Sequence, residues 1–225
     1  MILVTGGSGF IGSHTVRALH GLGEPSVVMQ RRSGQVPPHL ADLPVVAEQA
    51  DVADLDSLRA IGGRHEITGI VHLAGYPAPR GTAGGIEATQ GLLDGLLNIA
   101  RAAAEWGVRR VSLASTLGVY GGIAHSGPLT EDLPVLLTAP HPIPRSKKIA
   151  ELLGEQLAEA TGTEVVSLRI SGTWGPSATR TRSSPRPRSS TRPPAASPWT
   201  CPPCSSRRTS ATGSTCATSR TPAAR

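Results

Sequence analysis

Aromatic side chains are scarce in this chain of 225 residues, with three Trp, two Tyr and one Phe, so any core must be built from Val, Leu, Ile and Ala. Cysteine is missing altogether from residues 1–176, and Cys201, Cys204 and Cys216 all lie beyond them. A disulfide-stapled secreted domain is thereby excluded for the first part. No apolar run approaches the roughly 18 residues of a membrane span. The opening Met1-Ile2-Leu3-Val4-Thr5-Gly6 is too short, and lacks the basic flank, for a signal peptide. A soluble cytoplasmic protein with no membrane partner is expected.

Acids are absent from residues 177–225, and so are Leu, Ile, Val, Met and Phe. The formal charge of +6 therefore divides unevenly: residues 1–176 hold 13 basic and 16 acidic side chains, and the tail adds nine Arg. Basic charge alone would suggest a nucleic-acid partner. With one aromatic, Trp199, for stacking and no recognisable module, the tail makes RNA binding the weaker reading. A segment of Ser, Thr, Arg, Pro and Ala cannot bury enough apolar area to offset its ordering entropy, so disorder is expected. Every residue type in it can be encoded with C or G at the middle codon position. That is the alphabet of a GC-rich gene read out of frame, and the native frame is expected to be lost near Ser177. Cys201-Pro202-Pro203-Cys204 lacks the fourth ligand that zinc usually takes and the βα setting of a redox motif, so free thiols and no metal site are expected. The chain thus reads as a folded domain, 1–176, and a tail, 177–225.

Within 1–176 strands alternate with helices. Ile2–Thr5, Ser26–Met29, Val45–Ala47, Gly69–Leu73, Val108–Ala114 and Glu164–Ile170 are short runs of Val, Leu and Ile with little polar alternation, the pattern of a parallel sheet buried on both faces. Helical spacing recurs over 11–22, 86–104 and 146–160, and Asp54 is placed to cap a shorter helix over 54–61. This alternation predicts an α/β fold, a doubly wound parallel sheet of the Rossmann type. Residues 75–85 and 121–143, rich in Gly and Pro, are expected as loops at the carboxyl edge of the sheet.

Thr5-Gly6-Gly7-Ser8-Gly9-Phe10-Ile11-Gly12 follows the first strand and opens the first helix. Gly6, Gly9 and Gly12 are spaced G-x-x-G-x-x-G, while Gly7, Gly9 and Gly12 satisfy G-x-G-x-x-G. Glycine suits a tight turn, close approach of backbone to a pyrophosphate, and helix-on-strand packing, with the helix N-terminus stabilising the anion. A dinucleotide is the expected ligand.

The T-G-G-x-G-F-I-G opening resembles that of the extended short-chain dehydrogenases/reductases, in the NAD-dependent epimerase/dehydratase family that acts largely on nucleotide sugars. Further segments are similar in order: Asp51-Val52, His72-Leu73-Ala74-Gly75, Ala114 through Gly121 with its S-[ST]-x-x-V-Y-G pattern, and Leu168-Arg169-Ile170 through Trp174-Gly175-Pro176. The resemblance ends at 176, where a sugar-binding subdomain is expected to follow and the tail stands instead. It implies cofactor contacts from Gly6, Gly9, Phe10, Ile11, Gly12, Asp51, Val52, Leu73, Ala74 and Gly75, and homodimerisation through two helices like 86–104 and 146–160. After the second strand, Gln30-Arg31-Arg32 stands where NAD-preferring members place an acid. The arginines suit a 2′-phosphate, so NADP is favoured over NAD.

The resemblance also implies a Tyr-x-x-x-Lys pair beside a Ser or Thr, with Tyr exchanging a proton with the substrate hydroxyl and Lys holding the nicotinamide ribose. Thr116 occupies the hydroxyl position, and Ser146-Lys147 with Glu151 align with Y-x-x-S-K-x-x-x-E, which makes Lys147 the lysine. Ile143 then stands at the tyrosine position. An isoleucine exchanges no proton, which typically removes about 10²–10⁴ in rate. Three explanations stay open: an inactive cofactor-binding relative, a substitute base such as Tyr120 or His141, or a decaying gene. Leu117-Gly118 replaces the Asp-Glu pair of the 4,6-dehydratases, which leaves epimerase, reductase and dehydrogenase chemistry. The rival reading is a noncatalytic NADP(H) sensor.

Overall fold

The computed structural model of the protein describes residues 1–75, 85–139 and 141–175. Most of the expected 75–85 loop, Pro176 and the whole tail with its cysteines lie outside the described residues. Strands β1 (Ile2–Thr5), β2 (Ser26–Gln30), β3 (Val46–Gln49), β4 (Gly69–His72), β5 (Arg110–Thr116) and β6 (Glu164–Ile170) form one sheet. All pairings are parallel, in the order β3-β2-β1-β4-β5-β6. Helices α1 (Phe10–Gly21), α2 (Leu55–Arg64), α3 (Gly85–Glu105) and α4 (Pro142–Thr161) connect them. This is the expected doubly wound fold. The winding direction reverses between β1 and β4, where a crevice opens at the carboxyl ends.

Adjacent side chains in the central strands go to opposite layers. Leu3 and Val27 join Leu58, Ile61, Leu96 and Ile99 of α2 and α3, whereas Val4 and Val28 join Val16 of α1 and Leu40. Both faces are covered, so β1 and β2 carry continuous apolar runs.

Several boundaries differ from the sequence reading, three of them at contacts that give the physical reason. The fifth strand begins at Arg110 rather than Val108, because α3 ends in a Schellman turn: Gly107 has φ +65°, and the Val108 N–H reaches the Ala103 carbonyl at 2.8 Å. Helix α4 starts at Pro142, four residues before the expected Ser146. Proline at the first helical position lacks only an N–H that would have no helical partner, and the His141 Nδ1 accepts the Ile143 N–H at 3.3 Å as a cap. The third strand runs on to Gln49, with Glu48 held by Arg64 at 2.7 Å and His65 at 2.7 Å. Strand β6, expected to be buried on both faces, is the sheet edge and only half-buried.

Candidate functional site

The turn after β1 is built by steric exclusion. Gly6 has φ +67°, and a Cβ there would lie 2.9 Å from the Ala74 nitrogen; a Cβ on Gly12 would lie 2.3 Å from the Gly6 carbonyl oxygen. The chain closes with the Gly9 N–H on the Gly6 carbonyl at 3.0 Å. Gly9 then caps α1 without a side chain, and no acid occupies the first turn. The helix therefore presents uncapped N–H groups and the positive end of its dipole to whatever lies in front of it.

Register places Thr5 opposite His72. The Thr5 hydroxyl lies 2.8 Å from His72 Nδ1 and accepts the Ala74 N–H at 3.1 Å. His72 is buried, and burial, followed by the nearby charge of Lys147, pushes its pKa down to about 4. The ring is thus neutral near pH 7, and the tautomer decides which of Nδ1 and the Thr5 hydroxyl donates in their contact. This contact joins the ends of β1 and β4 beneath the glycine turn.

A cavity of about 370 Å³ opens in front of these strands, lined by Gly6, Ser8, Gly9, Met29, Gln30, Arg31, Ala50, Asp51, Val52, Leu73, Ala74 and Gly75. Nine of the residues singled out from sequence meet there. Ser8, Met29 and Ala50 were not singled out, although each adjoins a residue that was. Phe10, Ile11, Gly12, Arg32 and Lys147 do not line it: Gly12 packs the helix on the turn, and Arg32 is exposed. The Asp51 carboxylate accepts the Ala53 N–H at 3.0 Å, and the buried Asn98 amide donates to the Val52 carbonyl at 3.0 Å, holding that wall.

Thr116 and Lys147 stand on β5 and α4, outside the residues that line this cavity. The Thr116 Oγ1 accepts the Gly118 N–H at 3.2 Å, capping the short 3₁₀ turn Leu117–Tyr120. Lys147 is half-buried, and burial pushes its pKa down; among the described residues it has no ion pair. Ile143 is 47% exposed one turn earlier in α4, on the same helix side as Lys147. Tyr120, weighed as a substitute base, is buried with its hydroxyl already in use: it donates to the Thr130 carbonyl at 2.9 Å and accepts from Arg169, whose guanidinium carbon lies 4.8 Å from the ring centroid. His141 is exposed and spends Nδ1 on the helix cap. Among the described residues no cluster of His, Cys, Asp and Glu suits a metal ion, and no helix is long and apolar enough to cross a membrane.

Strand order, glycine turn and crevice define a Rossmann-type α/β domain. The chain belongs to the NAD dependent epimerase/dehydratase family, whose model matches residues 2–191, running past the 176 at which the sequence resemblance ends. Among curated relatives, the UDP-glucose 4-epimerase of Neisseria gonorrhoeae is 32% identical over 166 residues, 71% of this chain and 48% of that protein. The Bacillus subtilis enzyme of the same name is 30% identical over 147 residues, 62% and 43% respectively. Solved UDP-glucose 4-epimerases from Brucella ovis, in complex with NAD, and Bifidobacterium longum, in complex with NAD+ and UDP, superpose with TM-scores of 0.64 and 0.65. Both are 26% identical and cover 75% of this chain, which spans 50% and 52% of theirs. The chain spans about half the length of the curated relatives it matches.

Proposed function

We propose that this chain is the cofactor-binding domain of an epimerase-type short-chain dehydrogenase/reductase, with NADP preferred over NAD and a nucleotide sugar as the substrate class. The supporting observation is the crevice in front of β1 and β4, where an uncapped helix N-terminus and a turn with no room for a Cβ at Gly6 or Gly12 fit a pyrophosphate. Gly6, Gly9 and the first turn of α1 would hold the phosphates, Gln30 and Arg31 the adenosine ribose, Asp51 and Val52 the adenine. Leu73, Ala74 and Gly75 would line the path towards Lys147, which would hold the nicotinamide ribose. A bound nicotinamide dinucleotide supplies hydride transfer at a sugar hydroxyl or carbonyl. Thr116 retains a hydroxyl proton to donate to a substrate oxygen, because its oxygen is an acceptor in the cap. No phenol stands at Ile143, and Tyr120 serves as a strut, so dinucleotide binding without turnover, as in a sensor, is favoured for the native chain. The exposed Ile86, Ile149 and Leu152 of α3 and α4 support a homodimer through those helices. The domain division at 176 and the out-of-frame tail belong to the same reading.

Calorimetric titration tests the cofactor assignment. NADPH is expected to bind about tenfold more tightly than NADH, as one charge-assisted phosphate contact warrants, with Arg31→Glu reversing the order. Equal binding would remove the NADP preference, and failure of both to bind would remove the reading itself. Ile143→Tyr tests the vacancy in the catalytic set. The new phenol, one turn before an unpaired ammonium, is expected to ionise below the usual value of about 10 in an ultraviolet difference titration against the native chain. Ordinary phenol behaviour would show that position 143 does not sense Lys147.

A further inference from the structure

Neither the glycine turn nor the cavity accounts for a buried knot centred on Glu151 of α4. Its carboxylate accepts from the Ser115 hydroxyl, from Arg169 Nε at 3.2 Å on both oxygens, and from Arg169 Nη2 at 2.9 Å. The Glu151 and Arg169 side chains are 11% and 21% exposed. Arg169 also donates to the Tyr120 hydroxyl and to the Glu131 carbonyl at 3.2 Å. One carboxylate thus joins the end of β5, the middle of α4 and the end of β6.

A buried ion pair contributes little net stability once the desolvation of both partners is counted, so stability alone is a poor reason for this one. Its position is more telling. Ser115 adjoins Thr116 in β5, and Glu151 lies one helical turn beyond Lys147 on the same side of α4. Lys147 has no acidic partner of its own among the described residues. Its place follows the seat of α4, and Glu151 ties that helix to both β5 and β6.

We infer that Glu151 is a positioning residue, which through Ser115 and Arg169 seats α4 on β5 and keeps Lys147 at a constant distance from Thr116. The inference rests on the proposed reading of Lys147 as the ribose-binding lysine.

The experiment measures acylation of Lys147 by an amine-selective reagent across pH, read by mass spectrometry, with and without NADPH, alongside NADPH affinity. The titratable group facing Lys147 from the neighbouring β4 is His72, which stays neutral above about pH 4 and is retained in every variant. Glu151→Gln keeps the volume and an acceptor for Ser115 but removes the charge and one of the two oxygens that hold Arg169. Its Lys147 profile is expected to move towards that of an exposed lysine, and NADPH affinity to fall about ten- to a hundredfold. Ser115→Ala is expected to shift both in the same direction by less, and carries the test if Glu151→Gln does not fold. Lowered thermal stability with an unmoved profile and affinity, in whichever variant folds, overturns the positioning role while the cofactor reading stands. Failure of NADPH to bind or protect Lys147 in the native chain overturns both.

Discussion

Gly12→Ala is expected to destabilise the domain by about 3 kcal/mol and to remove measurable dinucleotide binding, because it forces a methyl group into backbone that cannot recede. The added carbon would meet the Gly6 carbonyl oxygen at 2.3 Å and the Gly7 Cα at 2.7 Å, well inside contact distance. No flexible side chain is available to move aside. The turn is also braced from behind, since Gly6 itself has room for no Cβ against the Ala74 nitrogen at 2.9 Å. Opening the turn would tilt α1 away from β1 and misdirect the N–H groups proposed to hold the phosphates. Gly21→Ala in the last turn of the same helix is the control, as nothing lies within 4 Å of its added carbon. It is expected to be neutral or slightly stabilising, by up to about 1 kcal/mol. Urea unfolding and calorimetric titration of both variants check the pair, and equal behaviour would sink the steric account.

The second large effect concerns pH. His72 is neutral in the native state down to about pH 4, whereas in the unfolded chain it takes up a proton near the ordinary histidine value of 6.5. Between those values the unfolded state binds more protons, so stability rises with pH there. As pH falls from 6.5 to about 4, up to about 3 kcal/mol is lost; below that both states are protonated and the loss levels off. His72→Asn retains both a donor and an acceptor for the Thr5 hydroxyl but does not titrate. The acid limb of its stability curve is expected to be shallower than that of the native chain by that amount. Parallel curves in urea unfolding from pH 4 to 7 would show that His72 does not carry the dependence.

Local features of the fold were legible before any coordinates. The glycine turn declares itself because its residues lie close together in sequence, and Gly9 and Gly12 answer contacts with Gly6 within the same turn. The order of strands and helices follows from runs of Val, Leu and Ile that need cover on both faces. Boundaries were less legible where a cap decides them. Val108 reads as strand by composition, yet Gly107 turns it into the closing residue of α3. Pro142 reads as loop, yet a helix tolerates proline where its N–H groups have no partners.

Most of the candidate cavity was equally plain, because its walls follow β1, β2, β3 and β4 at their carboxyl ends and carry recognisable segments. Ile143 at the tyrosine position was also visible, because the resemblance implies a tyrosine four residues before Lys147. Composition and spacing between near neighbours thus pointed to the fold class and the place of the glycine turn, and the family resemblance to Ile143 at the tyrosine position. The His72–Thr5 contact, the commitment of the Tyr120 hydroxyl and the knot around Glu151 join residues 67, 49 and 36 positions apart. No periodicity encodes such pairs. Burial gives them their consequence, since it drives protonation away from His72 and gives the buried carboxylate of Glu151 its partners on two strands. The packing of α4 on β5 and β6 determines which of these polar groups remain available for chemistry and which are spent on structure.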